Sequence, residues 1–301
     1  MSELPAPVVY FLQQVVNGLQ LGSVYALIAL GYTMVYGIVR LINFAHGDVF
    51  MVGAFAGFFA LSAFGWGFLP AILLAMVCCM VLGVTIERLA YRPLRRAPKI
   101  AALITAIGVS LFLEYFTSLK FIFGPNFRMF PRPFEVTTWN LGGVAVSSNL
   151  VIILAVSLVL VTGLQFIVTR TKIGMAMRAV SFDHDAARLM GIDVDRIISI
   201  TFAIGSALAG AGGVLYAIAY PQVNPFMGIM PGLKAFVAAV LGGIGIIPGA
   251  LLGSIIMGQA EVLTMGYVST TMRDAVAFGI LIIALLLRPS GLLGKSGVEK
   301  V

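Results

Sequence analysis

Eight apolar segments fill most of this chain, and they constrain its fold more than any other feature of the sequence. A helix needs about 20 apolar residues to cross the hydrocarbon core of a bilayer. Only 10% of the residues are charged, against roughly a quarter in soluble globular domains. The segments lie approximately at 9–39, 44–66, 67–86, 100–123, 148–169, 197–219, 233–264 and 272–288.

The sequence therefore predicts an all-α integral membrane protein. The segments would form a polytopic bundle of about 8–10 membrane helices, including broken or re-entrant segments, since two of the segments are too long for one untilted crossing. No soluble module separates from the apolar segments, so residues 1–301 are predicted to form a single transmembrane domain surrounded by membrane lipid.

The basic residues predict which side each loop occupies. Residues 87–99 carry five Lys or Arg, and residues 170–196 carry five more. Cytoplasmic loops are enriched in these residues, so both stretches are predicted to be cytoplasmic and the loop 124–147 external. The basic residues near the remaining ends also fall inside if 233–264 enters and leaves by the same face: Arg40, Arg288, Lys295 and Lys300. The net charge of +7 is thus an orientation signal and does not indicate nucleic acid as a partner.

The longest predicted cytoplasmic loop, 170–196, contains a candidate docking helix. Ala186 and Ala187 are strong helix formers with little bulk, and Asp185 complements the positive end of a helix dipole. Gly191 is placed to end the helix, because Gly readily adopts the left-handed conformation. Arg178 and Arg188 add the mixed charge of a polar interface, although an ordinary amphiphilic loop would also fit this pattern.

The string from Asp185 to Gly191 resembles the Glu-Ala-Ala-x-x-x-Gly loop of ABC importer permeases, with Asp in place of Glu. The later Ile-x-Leu-Pro element of that loop is missing. Five further stretches resemble LivH-type permeases for branched-chain amino acids: Leu21–Leu27, Asn43–Asp48, Gly210–Leu215, Gly242–Gly249 and Arg288–Gly294. These matches are spread over nearly the whole chain.

The resemblance implies a multi-pass permease subunit of an ATP-driven importer in a bacterial inner membrane, with Leu, Ile and Val as the expected substrates. Its implied partners are a second homologous permease, two cytoplasmic ATP-binding subunits and a periplasmic amino-acid-binding protein. The 170–196 loop would couple to the ATP-binding subunits. The chain has no Walker A pattern, so ATP and Mg²⁺ are expected on those partners. This chain is expected to bind no cofactor or metal and to catalyse no reaction.

Two interruptions of the apolar pattern are candidates for the translocation path or its gate. Asn43–Asp48 is a polar hinge in which His46 and Asp48 can bond exposed backbone, and a simple helix cap is the alternative. Gly242 and Gly245 belong to a Gly- and Pro-rich run that cannot continue a regular helix cheaply. This second run predicts a re-entrant hairpin broken at membrane depth, and a purely architectural role is the alternative.

Two carboxylates inside apolar segments, Glu114 and Glu261, could bind the ammonium group of a substrate. Intramembrane carboxylates also pair with neighbouring helices, and that alternative remains open. A different function, an ATP-independent secondary transporter or channel, would use the two interruptions as half-helix substrate sites. An intramembrane enzyme finds no support, because no nucleophile or metal constellation is present in the sequence.

Overall fold

The computed structural model describes residues 5–95 and 97–294. This part of the chain is a bundle of helices, which confirms the all-α fold class. A π-helical turn, Glu87–Tyr91, and a 3-10 turn, Arg92–Leu94, prolong the third helix. The helices are α1 (Ala6–Val39), α2 (His46–Ser62), α3 (Phe68–Ile86), α4 (Lys99–Thr117), α5 (Ser148–Arg170), α6 (Lys172–Phe182), α7 (His184–Leu189), α8 (Val194–Ala219), α9 (Ile229–Gly242), α10 (Ile247–Tyr267) and α11 (Arg273–Leu287).

Six of these helices are long and apolar enough to cross a membrane, namely α1, α3, α4, α5, α8 and α10. The first apolar segment is long enough for either one tilted helix or a hairpin. It is one continuous helix of 34 residues. Helices α2 and α9 are apolar but shorter, with 17 and 14 residues. At 1.5 Å per residue they span roughly 25 and 21 Å, less than the ~30 Å hydrocarbon core.

The two predicted cytoplasmic stretches lie together at one end of the bundle, called here the basic end. Arg92 forms an ion pair of 2.8 Å with Asp195 at the start of α8. His184 Nε2 of α7 lies 2.9 Å from the carbonyl oxygen of Ile38 at the end of α1. Arg40 lines a cavity together with these residues. It therefore lies at the same end of the bundle as the two basic stretches, as predicted.

The chain end that follows α11 also reaches the basic end. The Leu292 N–H donates to the Leu241 carbonyl at the end of α9, at 2.8 Å. Arg288 therefore lies on the predicted side. Lys295 and Lys300 lie outside the described residues.

Short strands mark the opposite end, called here the far end. β1 (Arg128–Met129) pairs antiparallel with β4 (Gln222–Val223), and β2 (Thr138–Leu141) pairs with β3 (Val144–Ser147). The start of α1 is here as well, because Gln13 Nε2 donates to the Ala145 carbonyl at 3.1 Å. Helix α1 thus runs from the far end to the basic end.

Helices α1–α4 and α8–α11 are two copies of one arrangement, inserted in opposite directions. Each copy is a long helix, a break, a short helix and two further helices. Helix α1 packs on α10 as α8 packs on α3, and the short helices α2 and α9 each pack on the crossing that follows. The long helices cross where a Cβ on Gly205 would lie 3.3 Å from the Gly31 Cα. This is an inverted repeat of the kind found in transporters, and the sequence shows no trace of it.

The two short helices begin deep in the bundle, where their N-termini meet. A Cβ on Gly47 would lie 2.5 Å from the Gly228 carbonyl oxygen, and one on Gly232 would lie 2.8 Å from the Gly47 Cα. From this contact α2 runs to the far end and α9 to the basic end. Only glycine permits so close an approach of two helix starts.

The predicted break at membrane depth, Gly242–Gly249, is wrong in its placement. Gly245, with φ of 94°, packs against Gly37 close to the end of α1, so the turn from α9 to α10 lies at the basic end. The interior break of this region lies earlier, between β4 and the start of α9 at Ile229. The region as a whole still enters and leaves at the far end, as the charge distribution predicts.

Candidate functional site

The polar start of α2 lines a cavity of about 160 Å³ in the middle of the bundle, the mid-bundle cavity. Asp48 Oδ2 accepts a hydrogen bond of 2.5 Å from Ser110 Oγ. Ser110 and Glu114 are four residues apart on α4 and share one face, so Glu114 lines the same cavity. The structure thus brings together two of the predicted residues, Asp48 and Glu114, although 66 positions separate them in the sequence.

Asn43 and His46 hold the start of α2 in place. Asn43 Oδ1 accepts a hydrogen bond of 3.0 Å from the Tyr91 hydroxyl. The His46 ring packs edge-on against Tyr32 with 4.9 Å between the ring centroids, and it occupies the space that Gly31 leaves open. Both side chains are buried, so they support the break rather than face the mid-bundle cavity.

Glu261 lines a second and larger cavity of about 390 Å³ near the far end, the far-end cavity. Its Oε1 lies 2.5 Å from Lys234 Nζ, and its Oε2 accepts a hydrogen bond of 2.8 Å from the Tyr25 hydroxyl. Lys234 Nζ also lies 2.7 Å from Asp274 Oδ1. The alternative that Glu261 pairs with a neighbouring helix is therefore confirmed, and the pair faces a cavity.

Lys234 was missed by the sequence reasoning, which named the carboxylate but not its cation. A signal was present, because Lys234 is a lone basic residue within the apolar segment 233–264. Charged side chains at membrane depth are costly and usually paired. Lys234 and Glu261 lie in the same segment, so the sequence could have predicted an ion pair between them.

Gly242 and Gly245 line neither of these cavities. A Cβ on Gly242 would lie 1.8 Å from the Gly249 carbonyl oxygen, so this glycine lets α9 and α10 approach closely. The close packing of Gly242 against Gly249 and of Gly245 against Gly37 fits a purely architectural role for this run.

The 170–196 loop forms α6 and α7 at the basic end. Asp183 caps α7, since its Oδ1 accepts bonds from the backbone N–H groups of Ala186 and Asp185 at 2.9 and 2.8 Å. These two bonds lower the pKa of Asp183 below its usual value, because they favour the charged carboxylate. Gly191 follows the helix with φ of 80°, the left-handed conformation that its residue type predicts.

Helix α7 exposes most of its side chains. Asp185, Ala186 and Arg188 are exposed, and the first and last of these form a 3.3 Å ion pair. Beside them lie large apolar side chains with more than four-fifths of their surface exposed, namely Phe182, Leu189 and Met190. An exposed apolar group rimmed by charge is typical of a protein–protein contact.

Two of the predicted coupling residues point elsewhere. Ala187 is 4% exposed and packs inward against the hydrophobic core. Arg178 donates to the Val168 carbonyl at the end of α5, which satisfies an open carbonyl of that helix. Of the two alanines, Ala187 thus faces this chain's own core, and Ala186 is exposed.

A cavity of about 680 Å³ opens next to α7, called here the basic-end cavity. Its lining includes Arg40, Arg92, Arg95 and Arg188. Arg95 joins two carboxylates, Glu87 and Asp195. Glu87 is fully buried and also accepts a 2.6 Å hydrogen bond from Ser199, so the end of α3 is tied to the start of α8. Within residues 5–95 and 97–294, no group of three or more potential ligands could hold a metal ion.

Known proteins identify the family. A family model described as "Branched-chain amino acid transport system / permease component" matches residues 14–285. The chain belongs to this family. It is 44% identical to the "High-affinity branched-chain amino acid transport system permease protein LivH" of Escherichia coli K12, over 97% of this chain and 98% of that protein.

Two further relatives are informative. BraD of Pseudomonas aeruginosa, a permease protein of the same kind of system, is 43% identical over 97% of this chain and 98% of its own length. LivM of Escherichia coli K12, also a permease protein, is 27% identical over 91% of this chain and 68% of its own length. The resemblance to LivH-type permeases is confirmed, and the ATP-independent transporter or channel finds no support.

Proposed function

We propose that this chain is the membrane-spanning permease subunit of an ATP-driven importer for branched-chain amino acids in a bacterial inner membrane. The relatives with 43–44% identity over almost the full chain carry this substrate class in their names. Two cytoplasmic subunits would bind ATP and Mg²⁺ and perform the hydrolysis. A periplasmic amino-acid-binding protein would deliver the substrate at the far end.

The observation that carries the coupling part of the proposal is the exposed surface of α7 at the basic end. The docking surface would consist of Asp185, Ala186, Arg188, Leu189 and Met190, which are exposed. Burial of the two apolar side chains in a partner's cleft is favourable. The arginines of the basic-end cavity would receive acidic side chains of the same partner.

Ala187, Gly191 and Arg178 support this surface from behind. Ala187 seats α7 on the bundle, Gly191 ends it, and Arg178 fixes α6 against the end of α5. The network of Glu87, Arg95 and Asp195 would then pass a movement of α7 to α3 and α8. Both of these helices pack on each other along their length.

The second permease would be a homologous chain. The similarity to LivM, which also bears the name of a permease protein, supports a pair of two different but related subunits. Each would bring its own coupling helix to one of the two ATP-binding subunits. The remaining exposed apolar surface would face lipid.

The path through this subunit would involve the contact between the starts of α2 and α9. Asp48 and Glu114 line the mid-bundle cavity beside this contact, and Asn43 and His46 hold α2 in position. Gly242 and Gly245 would allow α9 to tilt at its other end. A tilt of α9 would separate Gly228 from Gly47, which is how we expect the gate to open.

The test is ATP-driven uptake of labelled leucine by proteoliposomes containing the complete importer. Leu189→Glu places a charge in the apolar part of the docking surface, so we expect the ATP-binding subunits to be lost on purification and uptake to fall at least about tenfold. The side chain is 89% exposed, so we expect the substitution to leave the fold of this chain intact.

Leu141→Glu is the matched control, since Leu141 is also an exposed leucine, in β2 at the far end. It should leave the retention of the ATP-binding subunits unchanged. Equal retention and uptake in Leu189→Glu and wild type would contradict the docking surface. Leucine uptake without any ATP-binding subunit would contradict the importer itself.

A further inference from the structure

The far-end cavity combines features that suit one class of ligand. Its rim is formed by side chains that are partly exposed, among them Tyr220, Phe226, Met230 and Arg273. Its base holds Lys234 and Glu261, which are 2% and 4% exposed. A volume of about 390 Å³ falls within the range of roughly 300–1,000 Å³ found for small-molecule sites.

The charges at the base are of both signs and are held firmly. Lys234 Nζ and Glu261 Oε1 are 2.5 Å apart, and the Tyr25 hydroxyl donates to the other oxygen of Glu261. Burying charges costs several kcal/mol per ion unless each has a partner. A polar cluster of this kind in an otherwise apolar segment generally has a functional role.

The walls between rim and base are apolar and aromatic. They are formed mainly by Leu21, Phe127, Tyr216, Met227 and Met265. Methionine and aromatic side chains pack well against an aliphatic group and adapt to its shape. The cavity thus places two opposite charges below an apolar wall.

We propose that the far-end cavity binds a zwitterionic amino acid with an aliphatic side chain, with the carboxylate at Lys234 and the ammonium group at Glu261. This inference rests on the proposed function and adds to it a substrate site within the permease. The ligand would insert between the two charged side chains and exchange one ion pair for two. Because the zwitterion carries no net charge, the net charge of the site does not change when the ligand enters.

The position of α9 gives the site a role in transport. Met230, Pro231 and Lys234 of this helix line the far-end cavity, whereas Ile229, Gly232 and Leu233 line the mid-bundle cavity. The first two turns of α9 therefore separate the two cavities. A ligand bound at Lys234 contacts the same helix whose tilt would open the path.

The test is saturation-transfer NMR of leucine with the purified complete importer, without the binding protein. Leucine methyl signals are expected. Binding of leucinamide and of 4-methylpentanoate, which each lack one of the two charges, should be at least about tenfold weaker, since each forfeits a charge-assisted bond. Equal binding of all three compounds would overturn the inference.

Three variants locate the site. Met230→Trp narrows the cavity from its rim without touching the ion pair and should strongly weaken the leucine signal. The double variant Lys234→Met with Glu261→Met removes both buried charges, and Asp274 keeps Arg273 as its partner at 3.5 Å, so the variant should fold and lose the leucine signal. Leu252→Trp, at an exposed position of α10, is the control and should bind leucine like wild type. Leucine binding at wild-type strength in the first two variants would overturn the site.

ATP-driven uptake by wild-type proteoliposomes, measured on the same preparation, separates this inference from the proposed function. If wild type takes up leucine and the Met230→Trp variant binds leucine as strongly as wild type, only the cavity site is overturned. Absence of ATP-driven uptake overturns the proposed function and, with it, the role given to the cavity.

Discussion

Helices α2 and α9 occupy the same place in the inverted repeat, yet their chemistry differs. The break before α2 carries polar side chains, with Asn43 bonded to Tyr91 and Asp48 bonded to Ser110. The break before α9 has a local turn, in which the Phe226 N–H donates to Asn224 Oδ1 at 2.9 Å. Its charged side chain comes later, at Lys234, which lies close to both Glu261 and Asp274. The same backbone arrangement is thus stabilised by remote side chains in one copy and by local bonds in the other.

The comparison explains why the first break was predicted and the second was not. Polar residues inside an apolar run mark Asn43–Asp48 at once. Residues 224–233 read NPFMGIMPGL and carry no charge, so they look like part of a continuous loop and helix. The break was predicted instead at the Gly-rich run Gly242–Gly249, although its glycines form a turn at the basic end.

The largest expected effect concerns Lys234, the buried basic side chain of α9. Lys234→Met leaves Glu261 buried without its cation, which should destabilise the protein by about 3–5 kcal/mol. Asp48→Asn in α2 keeps an acceptor for Ser110 and should cost less than about 1 kcal/mol. Thermal unfolding of both variants in detergent measures the difference. Similar losses for the two would show that the polar start of α2 depends on charge as much as α9 does.

The contact shared by the two helices gives the next effect. Gly47→Ala forces a Cβ to within 2.5 Å of the Gly228 carbonyl oxygen, so we expect a loss of about 1–3 kcal/mol. Gly108→Ala is the matched control in α4, where nothing lies within 4 Å of the new Cβ. There the higher helix propensity of Ala should add up to about 1 kcal/mol. Stability changes of the same sign in both variants would argue against a tight contact of α2 with α9.

The smallest effect separates remote from local support of the breaks. Tyr91→Phe removes the hydroxyl that donates to Asn43 and should cost about 1 kcal/mol. Asn224→Ala removes only a bond within its own turn and should cost about 0.5 kcal/mol. Calorimetric unfolding of the two variants, with leucine uptake as a second readout, tests the order. A larger loss for Asn224→Ala than for Tyr91→Phe would mean that the local bond stabilises its break more than the remote bond stabilises the break before α2.

Much of the candidate site could be named from the sequence, but its grouping could not. Asp48, Glu114 and Glu261 stand out as carboxylates in apolar segments. Nothing in the sequence shows that the first two share a cavity while the third has Lys234 as its partner. The helix in the 170–196 loop and its two ends were predicted. That Ala187 faces inward depends on how α7 lies on the bundle.

The sequence by itself determined that this chain is a membrane protein, which loops share a side, and the family to which it belongs. These properties depend on local composition, on the number of basic residues in each loop and on motifs, all of which can be read one segment at a time. Only the tertiary structure decided the inverted repeat, the meeting of α2 with α9, and the ion pair at the base of the far-end cavity. Close helix packing depends on small residues facing each other across the bundle, and a sequence does not state which helices are neighbours.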